Sequence, residues 1–200
     1  MPSAAGTRAA EEPPTLEALM KGMAGASGVV ARFREEKRLA LLSEPLESRG
    51  TLYFVPPNRL SRETSEPSVT RLVIDGDRFS FRDAAGSESM DLSASPIARE
   101  YVENFIVLFN GDLAALRRRY EPTFRADARG WQLELRPRGV PLTKFIERVT
   151  LVGHARVLDR MELVEAGGDR TTTWFEDVRS DRAFSDAELA RIFADPPAAK

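Results

Sequence analysis

The stretch TRLVIDGDRFSFR, residues 70–82, decides the fold. Thr70 to Ile74 and Arg78 to Arg82 are short runs rich in β-branched and aromatic residues, with Asp75-Gly76 between them. An Asp-Gly step between two such runs is a strong hairpin signal. The same grammar recurs on both sides. Upstream, Val29, Ala31 and Phe33 alternate with Val30, Arg32 and Arg34, and Glu36 and Arg38 continue the second series. That period of two describes a half-buried strand with a charged outer face. Gly50 then precedes Thr51 to Val55, which Pro56-Pro57 stop, and Arg59 to Ser65 runs to a stop at Pro67. Glu88 to Leu92 is a further short strand.

Downstream the period changes. Ile97, Tyr101, Val102, Phe105, Ile106 and Phe109 recur at spacings of three and four, which predicts an amphipathic helix to about Leu108. Ser95-Pro96 opens it as cap and first residue, and Asn110-Gly111 closes it. Asp112 caps a second helix, Leu113 to Arg119. Strands then resume at Glu121 to Ala126, at Trp131-Leu133-Leu135, at Ile146 to Val152, at Val157 to Glu165 and at Thr171 to Val178. A short helix at each end, Leu16 to Met23 behind Thr15 and Asp186 to Phe193 behind Ser185, completes the pattern. About ten regularly spaced strands predict an antiparallel sheet, sandwich or barrel, mainly β in an α+β chain. The helices must cover one face or one end of it.

Composition narrows the chemistry. The chain has 200 residues, a formal net charge of −2, no Cys and one His. Without Cys there is no thiol nucleophile, zinc ribbon or iron–sulfur ligand set. His154 alone excludes a His-rich metal site, and its place between Gly153 and Ala155 reads as a solvated turn. No G-x-S-x-G elbow and no phosphate-binding glycine loop occurs. The neighbouring carboxylates Glu35-Glu36 and Glu176-Asp177 point to opposite faces of a strand, so they do not converge. The expectation is therefore no enzyme, no cofactor and no nucleic-acid partner. No apolar run reaches the 18 residues of a membrane span. Residues 1–14 are expected to be a disordered leader, resembling the region after a trimmed signal, and 15–195 a single domain.

What remains is apolar material. The inward faces are expected to supply Phe33, Leu52, Phe54, Val73, Phe79, Phe81, Leu133, Leu135, Leu151, Met161, Leu163 and Trp174, and the middle helix Phe105, Ile106 and Phe109. A curved sheet under a helix either fills this space or leaves a cavity for an apolar ligand. Arg117, Arg118 and Arg119 complement the dipole at a helix end, and they also form a possible patch for an anionic head group or acidic partner. Arg59 and Arg62, flanking Leu60, are a second such patch and are expected to point outward.

The order of these features resembles the outer-membrane lipoprotein carrier (LolA) family. The resemblance rests on F-x-x-x-K at 33–37, P-L-x-S-x-G-x-L-Y-F at 45–54, P-N-R-L at 57–60, Pro67 and V-I-D-G at 73–76. In the second half, G-W-x-L-x-L-x-P-R at 130–138 and G-D-R-T-x-T-x-F at 168–175 fit the LolA-related branch. The resemblance implies an incomplete, strongly curved antiparallel barrel of about 10–11 strands with an α-helical lid, here Ser95 to Arg119 hinged at Asn110-Gly111. It implies a non-enzymatic, monomeric periplasmic carrier, its signal peptide absent from this chain, that shelters lipoprotein or (glyco)lipid acyl chains. Its partners would be an inner-membrane exporter and an outer-membrane acceptor, with Arg59, Leu60, Arg62, Arg117 and Arg118 at handover. The alternative is a non-transporting lipid sensor or scaffold of the same shape. The sequence departs from the family at the lid latch: Pro56 stands where the carriers have an arginine, Leu60 where they have an aromatic, and Arg62 where they have Trp.

Overall fold

The computed structural model describes residues 14–194. The leader expected over 1–14 lies outside this range except for Pro14, as does the Pro196-Pro197 stop. The N-terminal meander is β1 (Val29–Arg38), β2 (Leu46–Val55), β3 (Arg59–Glu66), β4 (Thr70–Asp75), β5 (Arg78–Arg82) and β6 (Ser87–Asp91). The C-terminal meander is β7 (Tyr120–Asp127), β8 (Gly130–Pro137), β9 (Ile146–His154), β10 (Val157–Glu165) and β11 (Arg170–Arg179). Four helices accompany them among the described residues: α1 (Leu16–Ala24), α2 (Pro96–Ile106), α3 (Leu113–Arg119) and α4 (Asp186–Phe193).

The strands form one antiparallel sheet in the order β6-β5-β4-β3-β2-β1-β11-β10-β9-β8-β7. The two meanders are joined where β1 pairs with β11, so the first and last strands meet in the middle. The edges, β6 and β7, are consecutive in sequence. The chain between them must therefore travel from one edge of the sheet to the other. Residues 92–119 make that journey as a 3-10 turn, α2 and α3, across the concave face.

The hairpin at 70–82 forms with Asp75 opposite Arg78, which makes Gly76-Asp77 its two-residue loop. Gly76 has φ +61°, left-handed backbone that glycine adopts at little cost at the first position of a two-residue loop. β2 starts at Leu46, earlier than Gly50 suggests. Gly50 is an interior position where the β2–β3 register shifts. A Cβ there would meet the Glu63 carbonyl oxygen at 2.0 Å and the Phe33 ring at 2.8 Å, so the glycine marks close packing rather than a strand boundary. α2 ends two residues before the expected Leu108, and the Ser95 side chain makes no cap bond, although Pro96 does open the helix.

Two apolar clusters share the concave face. One gathers Leu133, Leu135, Leu151 and Trp131 from β8–β9 beneath α1 and α3. The other gathers Phe33, Leu52, Phe54, Leu60, Ile74 and Phe175 beneath α2. Phe109, Leu158 and Met161 touch both. On the convex face a third, small cluster forms where α4 lays Ile192 and Phe193 on Val73. The Ser185 capping box starts α4, and Arg71 donates to the Arg191 carbonyl at 2.7 Å at its other end.

Candidate functional site

The concave face changes character along each strand. On β1 the inward residues are Val29, Ala31 and Phe33, then Glu35 and Lys37. Their β2 partners are Phe54, Leu52 and Gly50, then Ser48 and Leu46. On β11 Phe175 lies opposite Phe33, Thr173 opposite Glu35 and Thr171 opposite Lys37. The inward surface thus runs from apolar to polar towards one end of the central strands.

Where this gradient passes under α2, a cavity of about 310 Å³ opens. Leu52, Met161 and Phe175 line it from the central strands, and Leu60, Leu72, Ile74 and Phe79 from β3–β5. Val102, Phe105 and Phe109 line it from the helical side. Its polar end holds Glu35, Arg62, Thr171 and Thr173. Arg62 Nη2 lies 2.8 Å from Glu35 Oε1. Thr173 Oγ1 donates to Glu35 Oε2 at 3.0 Å, and the Arg62 guanidinium sits 4.3 Å from the centre of the Phe33 ring. The two charged side chains are 29% and 21% exposed, so the pair is largely removed from water. A second space of about 60 Å³ adjoins between α1, β1 and β11, and Leu52, Phe109 and Phe175 line both.

α2 is tied down at its sides. Arg99 pairs with Asp77 of the β4–β5 loop at 3.0 Å. Arg119 of α3 pairs with Glu103 and donates to Asn104 Oδ1 at 3.2 Å, while Asn104, almost fully buried, donates to the Glu100 carbonyl. α3 is in turn tied to α1 by Arg117 and Glu17 at 2.8 Å. The Glu17 carboxyl titrates below its usual range, first through its own backbone N–H and then through Arg117. The expected hinge at Asn110-Gly111 is wedged in place. Gly111 has φ +71°, and a Cβ would meet the Met20 carbonyl oxygen at 2.3 Å and the Ala24 nitrogen at 2.4 Å.

Of the residues expected inside, Phe33, Leu52, Phe79, Phe105, Phe109, Met161 and Leu163 line the cavity. Phe54 and Ile106 are buried in the same cluster behind it. Phe81, half-buried, shares its face through its partner Leu72. Leu133, Leu135 and Leu151 belong to the solid cluster under α1 and α3. Two residues face the other way. Val73 lies on the convex face beneath α4, because its neighbours Leu72 and Ile74 take the inward positions. Trp174 is also outside, with the Arg34 guanidinium 3.9 Å from its ring centroid, because Phe175 faces in. Among the five handover residues, Arg59 is outward, paired with Asp75 and stacked on Phe193. Leu60 and Arg62 share one parity and both face inward, so the outward direction expected for Arg62 is reversed. Arg117 and Arg118 are exposed on α3, and Arg118 borders a cleft beside α2. Glu35, Thr171 and Thr173 were legible only as parity: each lies an even number of residues from Phe33 or Phe175.

The model of the outer membrane lipoprotein carrier protein LolA matches residues 24–190. The chain belongs to the LolA family. No curated protein sequence matches it. Solved structures to which the chain is similar include a LolA superfamily protein from Nitrosomonas europaea, 12% identical with a TM-score of 0.47, covering 91% of this chain and 98% of that one. MucB, whose Pseudomonas aeruginosa complex with MucA also matches, is 12% identical with a TM-score of 0.50, covering 90% of this chain and 62% of its own. This chain therefore spans about three-fifths of MucB. The Mycobacterium tuberculosis lipoprotein LppX is 9% identical with a TM-score of 0.40, covering 86% and 98%. In this LolA-family protein α2 is held through the pairs Arg99–Asp77 and Arg119–Glu103.

Proposed function

We propose that this protein is a periplasmic carrier that shelters acyl chains of a lipoprotein or (glyco)lipid between the curved sheet and α2, for transport towards the outer membrane. The observation that carries the reading is the apolar cavity under α2, next to a helix whose tethers are side-chain pairs. Each methylene moved out of water gains ~0.8 kcal/mol, so a long acyl chain gains on the order of 10 kcal/mol. Such a group crosses an aqueous compartment only inside a sheath. A volume of 310 Å³ stands at the small end of the roughly 300–1,000 Å³ typical of ligand pockets. It accepts one chain segment, and displacement of α2 or of Phe109 admits more. The carrier works without catalysis, as a monomer. It receives cargo from an inner-membrane exporter and delivers it to an outer-membrane acceptor, with Arg117 and Arg118 on the exposed side of α3 as contacts.

The test is uptake of a fluorescent acyl probe by the wild-type protein and by Met161→Trp. Met161 sits on the cavity floor, and the larger ring removes volume from the space without touching a tether of α2. The expected result is saturable uptake by the wild type and at least tenfold weaker binding by the variant. Equal uptake by both would place the acyl site elsewhere.

A further inference from the structure

The cavity under α2 carries charged side chains at one end, where they meet as a pair. Glu35 and Arg62 are the two charged residues that line it among those described. They neutralise each other at 2.8 Å. The pair is over-determined: Thr173 and Ser48 also lie on Glu35, at 3.0 and 3.5 Å, and the Arg62 guanidinium stands over the Phe33 ring. The arginine charge is therefore already spent, and the site offers no net positive field. An anionic group entering this partly desolvated space finds no free cation to offset the loss of its own hydration, because Glu35 already holds the guanidinium it would pair with. Taking Arg62 for itself would leave the half-buried Glu35 without its cation, an unpaired charge in a partly desolvated space. An uncharged polar group meets no such penalty. The guanidinium has five N–H donors and the carboxylate about four acceptor sites, so both keep hydrogen-bonding capacity beyond their mutual contact. An ester or amide carbonyl can accept from Arg62, and a hydroxyl can donate to Glu35.

Resting on the carrier reading, we infer that Glu35 is a specificity-determining residue. It makes the site select acyl groups in uncharged ester or amide linkage, as in an acylated glycerol, over those ending in a free carboxylate or phosphate.

The experiment measures the affinities of the full chain for monolaurin and for laurate at pH 8, below their micellar concentrations, by displacement of a fluorescent acyl probe. The wild type is expected to bind monolaurin at least tenfold tighter than laurate. Glu35→Gln, which can keep the Thr173 contact, frees the Arg62 charge and is expected to shift the ratio towards laurate by about tenfold, or 1.4 kcal/mol. Should that variant not fold, Glu35→Gln with Arg62→Gln removes both charges, and is expected to keep monolaurin binding while losing the discrimination. Wild-type preference for laurate, or a ratio unchanged in the variants, would overturn the filter and leave the carrier intact. Binding of neither lipid would overturn the carrier reading and the filter together.

Discussion

Gly111 shows how a single residue fixes the helical crossing over the sheet. Its positive φ alone costs a side-chain-bearing residue about 1–3 kcal/mol. The α1 backbone stands within 2.4 Å of where a Cβ would lie. Gly111→Ala is therefore expected to lower stability by at least about 2 kcal/mol, read as a shift of the urea midpoint without a change in slope. A variant as stable as the wild type would mean that the turn between α2 and α3 has room to relax. At this same scale lie the expectations that the structure reversed. Leu72-Val73-Ile74 is apolar throughout, so alternation has no polar member to mark the outer face. The convex face is covered there by α4, which makes Val73 as buried as Ile74. Trp174-Phe175 poses the same problem with two aromatics. Registration on Phe33, which lies opposite Phe175, resolves it. That pairing joins residues far apart in the chain and is not readable from local pattern.

Helices and hairpins were the legible scale. The loop glycine at 76, Pro96 at a helix start and the caps at Thr15, Asp112 and Ser185 are local signals, and each marks the element expected of it. At α4 the cap has a measurable consequence. Ser185 Oγ accepts from the Glu188 N–H, and Glu188 reaches back to the Ser185 N–H at 2.9 Å. Ser185→Ala is expected to cost about 1 kcal/mol, a fall in Tm of about 2–4 °C for a domain of this size. The Glu188 carboxyl titrates below its usual value near 4.5, chiefly because of the hydrogen bond from the Ser185 backbone N–H. A lowered folded pKa adds stability above the unfolded value and loses it as pH falls through the folded one. The Tm difference between wild type and Glu188→Gln is therefore expected at pH 7 and should fade below about pH 4.5. A difference that persists at pH 2.5 would assign it to packing instead.

For the whole molecule, topology explains why a helix covers the concave face at all. Two meanders joined through β1 and β11 leave β6 and β7 at opposite edges, and the connection between them has to cross the sheet. Strand count and order of elements carried that architecture in the sequence, whereas the cavity did not show there. Whether Phe105, Phe109 and Met161 close ranks or leave 310 Å³ between them depends on how far α2 stands from the sheet, a property of the assembled layers. The charged end of the cavity was likewise hidden, because Glu35 and Arg62 meet only through the β1–β2–β3 register. The central claim, that this space carries acyl chains, is tested most directly by native mass spectrometry of the protein purified from its own host. The expected spectrum contains the chain with one bound acyl lipid or lipid-anchored protein, and Met161→Trp prepared in parallel loses that species. A wild-type spectrum of bare protein alone, unchanged after incubation with acylglycerol, would contradict it.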